Sequence, residues 1–211
     1  MSSTAPRAPR RSRARDWLAG FELVPQAFYR RDARQVAPQL LNKILIGRDG
    51  RGGRIVEVEA YCGAIDPAAH TYRGKTKRNA TMFGPPGHMY VYFTYGMHWC
   101  SNTVCGDEGD GSGVLLRALE PLAGIAQMRL ARPRARRERD LCSGPARLTQ
   151  AMGIAGAHDG IELYTGDAPF AVVSDGMPSP PAAPGSPRIG ISRGQEHHWR
   201  WFVKGNANVS K

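Results

Sequence analysis

The chain has 211 residues, of which 41% are hydrophobic, so it has the size and composition of one folded domain with a sizeable core. No apolar run approaches the roughly 20 residues of a membrane span, and the first residues lack an apolar signal segment, so we expect neither a membrane protein nor a secreted one. The net charge of +11 favours an anionic partner, most commonly nucleic acid, although solubility or a coding bias also produces basic chains.

Residues 1–18 are predicted to be a disordered basic tail, because five of the first fifteen residues are arginine and prolines interrupt the run. Transit peptides share this arginine-rich, acid-poor start, but prolines break the amphipathic helix that they need. Residues 19–211 are expected to form one domain, which carries more than half of the net charge. The four scattered cysteines are typical of reduced thiols in a cytoplasmic protein, and their spacing does not indicate a zinc site.

A helix and a β-hairpin are the first elements that the sequence predicts after the tail. Asp32 is a suitable N-cap for a helix that ends at Leu41, although Pro38 removes one backbone donor from it. Two apolar segments, residues 44–48 and 54–61, flank a glycine-rich turn and are predicted to pair as antiparallel strands.

The second strand of this hairpin carries two acidic residues. Period-two alternation places Ile55, Glu57 and Glu59 on one face and Val56 and Val58 on the other. Carboxylates among apolar neighbours are costly unless they are paired or functional. Glu59 is therefore either a candidate for chemistry or a half-buried glutamate that is paired with an arginine.

Residues 62–87 are predicted to be mostly loop, and an aromatic strand follows at residues 89–94. Alternation places Tyr90 and Tyr92 on one face of that strand. Tyr95 comes directly before a glycine, which predicts a tight turn that displays its ring. Aromatic rings on a basic protein indicate a surface that holds or replaces a nucleic-acid base.

Strands dominate the remaining pattern, which favours an α+β fold around an antiparallel or barrel-like sheet. Pro121 is predicted to start a helix that runs to residue 130, and Ser143 is predicted to cap another at residues 145–152. Five prolines within residues 177–187 predict a surface loop. The other predicted strands are residues 98–104, 113–119, 161–164, 170–173, 188–191 and 200–204.

Several long motifs, in this order over roughly residues 25–205, resemble those of the alkyladenine (3-methyladenine) DNA glycosylase family. No single short pattern carries the resemblance, and the number and order of the motifs make it specific. The motifs are Arg-Ile-Val-Glu-Val-Glu-Ala-Tyr (54–61), Asp-Pro-Ala-Ala-His (66–70), Met-Tyr-Val-Tyr-Phe-Thr-Tyr-Gly-Met (89–97), Asn102, Gly-Val-Leu-Leu-Arg-Ala-Leu-Glu-Pro (113–121), Leu-Cys-Ser-Gly-Pro-Ala-Arg-Leu (141–148) and Arg-Ile-Gly-Ile (188–191).

The resemblance implies a base-excision repair enzyme with a single mixed domain, a curved antiparallel sheet and short surrounding helices. Such an enzyme binds duplex DNA in the minor groove, flips out a damaged purine and hydrolyses its N-glycosidic bond, leaving an abasic site. The resemblance implies purines of the 3-methyladenine, hypoxanthine and ethenoadenine class, no metal or cofactor, and a monomer located in the cytoplasm, at the nucleoid if the source is bacterial.

Two residues match the catalytic positions of the family. Glu59 matches the general base, which accepts a proton from the water that attacks the sugar, and Arg117 matches a residue that holds this water or the carboxylate. The alternative for Arg117 is a core arginine that is satisfied by Glu57 or Glu120. No lysine lies in the matched motifs, which argues against Schiff-base chemistry and strand cleavage.

Four residues match the walls of the base pocket. Tyr61, His70 and Tyr92 provide rings that stack on purines, and on cationic alkylated purines with an added cation–π attraction of about 1–2 kcal/mol. Asn102 matches the residue that would clash with the 2-amino group of guanine.

Two further tyrosines match positions near the duplex. Tyr95 matches the wedge that enters the helix where the flipped nucleotide leaves, and its alternative is packing in the core. Tyr90 is expected near the DNA backbone or in the pocket wall.

The leading interpretation is a monofunctional purine DNA glycosylase. The alternatives are a non-catalytic nucleic-acid-binding module, which would bind without releasing a base, and a hydrolase of free nucleosides, which would not depend on a duplex.

Overall fold

The fold is built on an antiparallel sheet in a computed structural model that describes residues 18–94, 96–181 and 184–210. The predicted basic tail lies outside these ranges apart from residue 18. The strands are β1 (Glu22–Leu23), β2 (Ile44–Gly47), β3 (Gly52–Cys62), β4 (Met89–Thr94), β5 (His98–Cys105), β6 (Ser112–Ala123), β7 (Phe170–Ser174) and β8 (Arg200–Phe202).

The strands follow the order β1–β7–β2–β3–β6–β5–β4, and every pairing is antiparallel. The first part of β3 pairs with β2 and its middle pairs with β8, so both lie along the same edge of β3. Among the described residues β1 and β4 do not pair with each other, so the sheet stays open and is not closed into a barrel. The α+β fold with an antiparallel sheet is confirmed.

Short helices cover one face of this sheet. Asp32 caps the second helix as predicted, because its side chain accepts a hydrogen bond from Arg34 N at 2.8 Å, and Pro38 is tolerated inside that helix. Within the described ranges every helix is too short or too polar to span a bilayer. The helices are α1 (Gln26–Tyr29), α2 (Ala33–Leu40), α3 (Ile125–Ala131) and α4 (Pro145–Met152).

The structure corrects two predicted helix starts. Pro121 does not begin a helix, because β6 continues to Ala123 and pairs Pro121 with Gly53. Gly124 then takes a left-handed conformation with φ of 66°, and α3 starts only after it. Ser143 does not cap α4: its hydroxyl donates to Val209 O, and Gly144 occupies the N-cap position.

Two of the predicted strands are wrong, whereas those at β7 and β8 are confirmed. Residues 161–164 form only an isolated bridge, between His88 and Glu162. Residues 188–191 form no strand, and the backbone N–H of Ile189 donates to the side chain of Glu59 instead of to a neighbouring strand. The proline-rich residues 177–181 and 184–187 are mostly exposed and belong to no named strand or helix.

The main apolar core lies between the helices and one face of the sheet. Tyr29, Val36 and Leu40 from α1 and α2 belong to it, as do Leu148 and Met152 from α4. These five side chains are fully buried, and helices α2 and α4 contact the central strand β6. The opposite face of the central strands is therefore left for polar and aromatic side chains.

An irregularity in the β3–β6 ladder decides which residues reach that opposite face. On β3 the ladder pairs Ile55 and then Glu57, skipping Val56, and on β6 it skips Arg117. An extra residue shifts the alternation of side chains by one. Ile55 therefore packs in the main core, and the prediction that it shares a face with Glu57 and Glu59 is wrong.

Candidate active site

One row of side chains crosses four strands in register on this opposite face. Tyr90 of β4 pairs with Asn102 of β5, Asn102 pairs with Leu115 of β6, and Leu115 pairs with Glu59 of β3. Directly opposed residues in antiparallel strands lie about 5 Å apart and point to the same side of the sheet. The fold thus brings together residues that are 43 positions apart in sequence, from Glu59 to Asn102.

An aromatic cavity of about 460 Å³ opens on this face, within the size range of small-molecule sites. The ring of Tyr92 stacks on that of Tyr90, with centroids 5.4 Å apart and an angle of 25° between the planes. His70 meets Tyr92 edge-on, with ring centroids 4.5 Å apart. Predicted site residues that line the cavity are Tyr61, His70, Tyr90, Tyr92, Asn102 and Arg117.

Glu59 lies directly behind the wall of this aromatic cavity and is fully buried. Tyr61 Oη donates to its Oε2 at 2.9 Å, and the backbone N–H of Ile189 donates to its Oε1 at 2.7 Å. Arg117 Nη1 forms an ion pair with Oε2 at 3.2 Å. All three partners line the cavity, so the residues that hold the Glu59 carboxylate in place also form part of the cavity wall.

Glu57 supports the same arginine from the other side. Arg117 Nε donates to Glu57 Oε1 at 2.9 Å, and Arg200 Nε donates to the same oxygen at 2.7 Å. Ser210 adds its backbone N–H to Oε2 at 2.6 Å and its hydroxyl to Oε1 at 2.9 Å. Arg117 is therefore satisfied by Glu57, one of the two partners named in the core-arginine alternative, and it also contacts Glu59.

The hydrogen bonds around Glu57 keep it ionised. Burial by itself raises the pKa of this carboxyl group, but the Arg200 hydrogen bond, the Arg117 charge and the two Ser210 hydrogen bonds outweigh burial and lower the pKa. For Arg117, burial disfavours the charge, and the neighbouring Glu59 and Glu57 carboxylates more than compensate, so its pKa is raised. The centre of the site is thus a fixed arrangement of two carboxylates around one guanidinium.

The polar groups of the aromatic wall are held in their neutral forms. Burial raises the pKa of Tyr90 to about 12 and raises that of Tyr61 further, with the Glu59 charge adding to the second effect. His70 is exposed on the open side of the cavity, yet partial burial and the nearby charge of Arg78 lower its pKa. A neutral imidazole with Nδ1 3.5 Å from the Tyr90 hydroxyl presents one donor and one acceptor.

The structure also locates Asn102 and Tyr90. Asn102 is 5% exposed, and its Nδ2 donates to Tyr90 O at 3.4 Å, which fixes the amide at the floor of the cavity. Tyr90 is only 2% exposed and lies in the cavity wall, one of its two expected places. Tyr95 lies outside the described residues, between Thr94 and Gly96.

A buried ion pair braces the far side of the cavity, and sequence reasoning did not single it out. Arg188 donates to Asp66 Oδ2 at 2.6 Å and to Oδ1 at 2.8 Å, and neither side chain is exposed. The Arg188 guanidinium lies over the ring of Tyr61, 4.7 Å from its centroid. Asp66 and Arg188 belong to motifs that resemble those of the family, at residues 66–70 and 188–191. The sequence alone did not predict that they pair, because 122 positions separate them.

Chemically, the arrangement combines an acceptor for a proton, a fixed positive charge and an aromatic enclosure. In the described part of the chain, no three histidine, cysteine or acidic side chains are grouped as a metal site requires. The carboxylate of Glu59 is suited to general-base work if a water reaches it, and the rings are suited to stacking on a flat heterocycle.

Comparisons with known proteins match most of the chain to one family. The family profile described as "Methylpurine-DNA glycosylase (MPG)" matches residues 27–207. A protein of Burkholderia cenocepacia (strain HI2424) named "Putative 3-methyladenine DNA glycosylase" is 69% identical over 188 residues, covering 89% of this chain and 91% of its own length. A protein of the same name from Rhodopseudomonas palustris (strain BisB18) is 48% identical over 188 residues, covering 89% and 90%.

Proposed function

Because this chain belongs to the methylpurine-DNA glycosylase family, whose members hydrolyse N-glycosidic bonds in DNA, we propose that it removes damaged purines from duplex DNA with a water activated by Glu59. The predicted family and enzyme class are confirmed. The relatives come from bacteria, so the proposed place of action is the cytoplasm, at the nucleoid. The proposed enzyme is a monomer that approaches the duplex from the minor groove.

The observation that carries the proposal is the position of Glu59 directly behind the ring-lined cavity. A carboxylate accepts about four hydrogen bonds, and the described partners of Glu59 are Tyr61, Ile189 and Arg117, so one acceptor position remains for the proposed water. Arg117 and the Ile189 N–H hold the carboxylate of Glu59 in a fixed position, as a general base requires. The same negative charge stabilises the oxocarbenium-like transition state that develops as the purine leaves.

The aromatic cavity is the proposed receptor for the flipped base. Tyr61, His70 and Tyr92 supply ring faces and edges for stacking, and cationic alkylated purines gain a cation–π attraction there. Asn102, held by Tyr90 O, is the proposed barrier to the 2-amino group of guanine. Tyr95 is the proposed wedge that fills the gap left in the duplex, on the sequence argument alone.

The decisive experiment is a base-release assay under single-turnover conditions. Duplexes that each contain one 3-methyladenine, hypoxanthine or ethenoadenine are incubated with the wild type and with Glu59→Gln. We expect the wild type to release at least one of these bases, and Glu59→Gln to be at least about a hundredfold slower while it still binds DNA.

Glu120→Gln is the matched control, because Glu120 lies on β6 and bonds to Asn206, away from the cavity. It should keep the wild-type rate. Binding without release by the folded wild type would favour a non-catalytic module, and equal release from free nucleosides would favour a nucleoside hydrolase. Activity that survives in Glu59→Gln would exclude Glu59 as the base.

A further inference from the structure

A second cavity, which we call the arginine cavity, lies beside the aromatic cavity and has a volume of about 680 Å³. The segment between α3 and α4 forms one side of it, and six arginines occur within residues 129–139. Arg117 and Pro145 line both cavities, so the two are neighbours. The other arginines that line it are Arg132, Arg134, Arg136, Arg137, Arg139 and Arg147.

Much of this positive charge is unpaired. Asp140 is the acidic residue of the lining, and it already binds Arg137 at 3.0 Å. Among the described residues, no ion pair is formed by Arg134, Arg136 or Arg139, all of which are exposed. Several like charges at one concave surface repel one another, and a bound anion relieves that repulsion.

Arg132 shows this crowding directly. Its Nε is buried without a hydrogen-bond acceptor, although Nη1 donates to Gln150 Oε1 at 3.0 Å. Burial and the neighbouring charge of Arg147 lower the pKa of its guanidinium. A buried cationic donor without an acceptor is costly, and a ligand with several acceptor oxygens in the cavity that Arg132 lines would offset the crowded positive charge.

The chemistry of this lining selects phosphate groups. Guanidinium groups bind phosphate oxygens bidentately, and three exposed arginines spread along one segment match a ligand with repeated charges rather than a single small anion. The start of α4, at Gly144 and Pro145, also faces the cavity and adds the positive end of an eight-residue helix.

We propose that the arginine cavity binds successive phosphodiester groups of the DNA strand next to the nucleotide in the aromatic cavity. This inference rests on the proposed function, because it takes duplex DNA as the ligand. The shared wall at Arg117 and Pro145 makes the two cavities parts of one surface. Phosphate contacts fix the register of the strand without reading its sequence.

The test measures binding of an undamaged duplex by fluorescence anisotropy over a range of salt concentrations. In the first variant Arg134, Arg136 and Arg139 are all changed to glutamine. We expect the slope of log K against log salt to become shallower by about 2.7, at roughly 0.9 per phosphate contact, and binding to weaken at least about tenfold.

A charge-matched control changes Arg30, Lys43 and Lys204 to glutamine, because none of these lines either cavity. It should keep the wild-type slope. A third variant, with lysine at positions 134, 136 and 139, should restore most of the slope because it keeps the charges. The glutamine and lysine variants at positions 134, 136 and 139 should show the wild-type melting temperature, since these three arginines are exposed.

An unchanged slope in the glutamine variant, an equal loss in the control, or a lysine variant as weak as the glutamine one would overturn the arginine cavity as a phosphate site. These outcomes leave the proposed function standing if the wild type still releases damaged bases. Failure of base release with an intact slope difference would instead reject the proposed function and keep the phosphate site.

Discussion

Asp66→Asn should destabilise the protein severely, because it breaks the buried ion pair with Arg188. Each Asp66 oxygen accepts two donors: Oδ1 accepts from Arg188 Nη2 and Ala68 N, and Oδ2 from Arg188 Nη1 and Cys62 N. Either orientation of an asparagine amide turns its NH₂ group toward two donors. Arg188 keeps only the carbonyls of Ala60 and Gly194 as hydrogen-bond acceptors, so its buried charge loses the carboxylate that it binds directly.

Removing one partner of a buried pair costs about 3–5 kcal/mol. For a chain of this length each kcal/mol lowers the melting temperature Tm by about 2–4 °C, so Asp66→Asn should lower Tm by about 6–20 °C. The measurement is thermal unfolding followed by circular dichroism at neutral pH.

Asp107→Asn is the matched control. The Arg30–Asp107 pair has the same 2.6 Å distance as the shorter Arg188–Asp66 contact, but its side chains are 71% and 65% exposed. Solvent screens that pair, so its loss should leave Tm nearly unchanged. If the two substitutions lowered Tm equally, burial would not be the reason that the Asp66–Arg188 pair stabilises the fold, and the prediction would be refuted.

Two other substitutions test the site. Glu57→Gln should destabilise the fold by about 3 kcal/mol at neutral pH. Because the fold lowers the pKa of Glu57, the stability that its carboxylate contributes is complete above the ordinary pKa of 4.5 and is lost as the pH falls through the lower folded pKa. In urea unfolding, the stability difference between wild type and variant should therefore be smaller below pH 4.5 than at neutral pH, and a constant difference would contradict this. Asn102→Ala should raise release of alkylated guanine relative to 3-methyladenine by about tenfold in the base-release assay, and an unchanged ratio would remove Asn102 as the barrier to guanine.

The sequence predicted most of the elements that build the site. Alternation alone placed Tyr90 and Tyr92 together on one face of β4, because a strand has a fixed period of two. Asp32 marked the start of α2 for an equally local reason, since a cap binds a backbone N–H two residues away. The motifs indicated the family, which the comparisons confirm.

Predictions failed where a residue pairs or forms a hydrogen bond with a segment that is distant in sequence. Pro121 remains in β6 because Gly53 of β3 pairs with it, and Ser143 bonds to Val209 instead of capping α4. The paired irregularity at Val56 and Arg117 reversed the alternation on β3, and no local pattern marks an extra residue that is defined only by its partner strand.

The sequence by itself determined which chemical groups occur at the site, because the identities of Glu59, the tyrosines and Asn102 and their alternation along short strands are properties of the covalent chain. Only the tertiary structure decided that Glu57 and Glu59 share Arg117, that Ser210 closes this group and that Arg188 braces Tyr61. The reason is physical: a buried charge is stable only beside partners at hydrogen-bond distance, and those partners come from segments far apart in the chain.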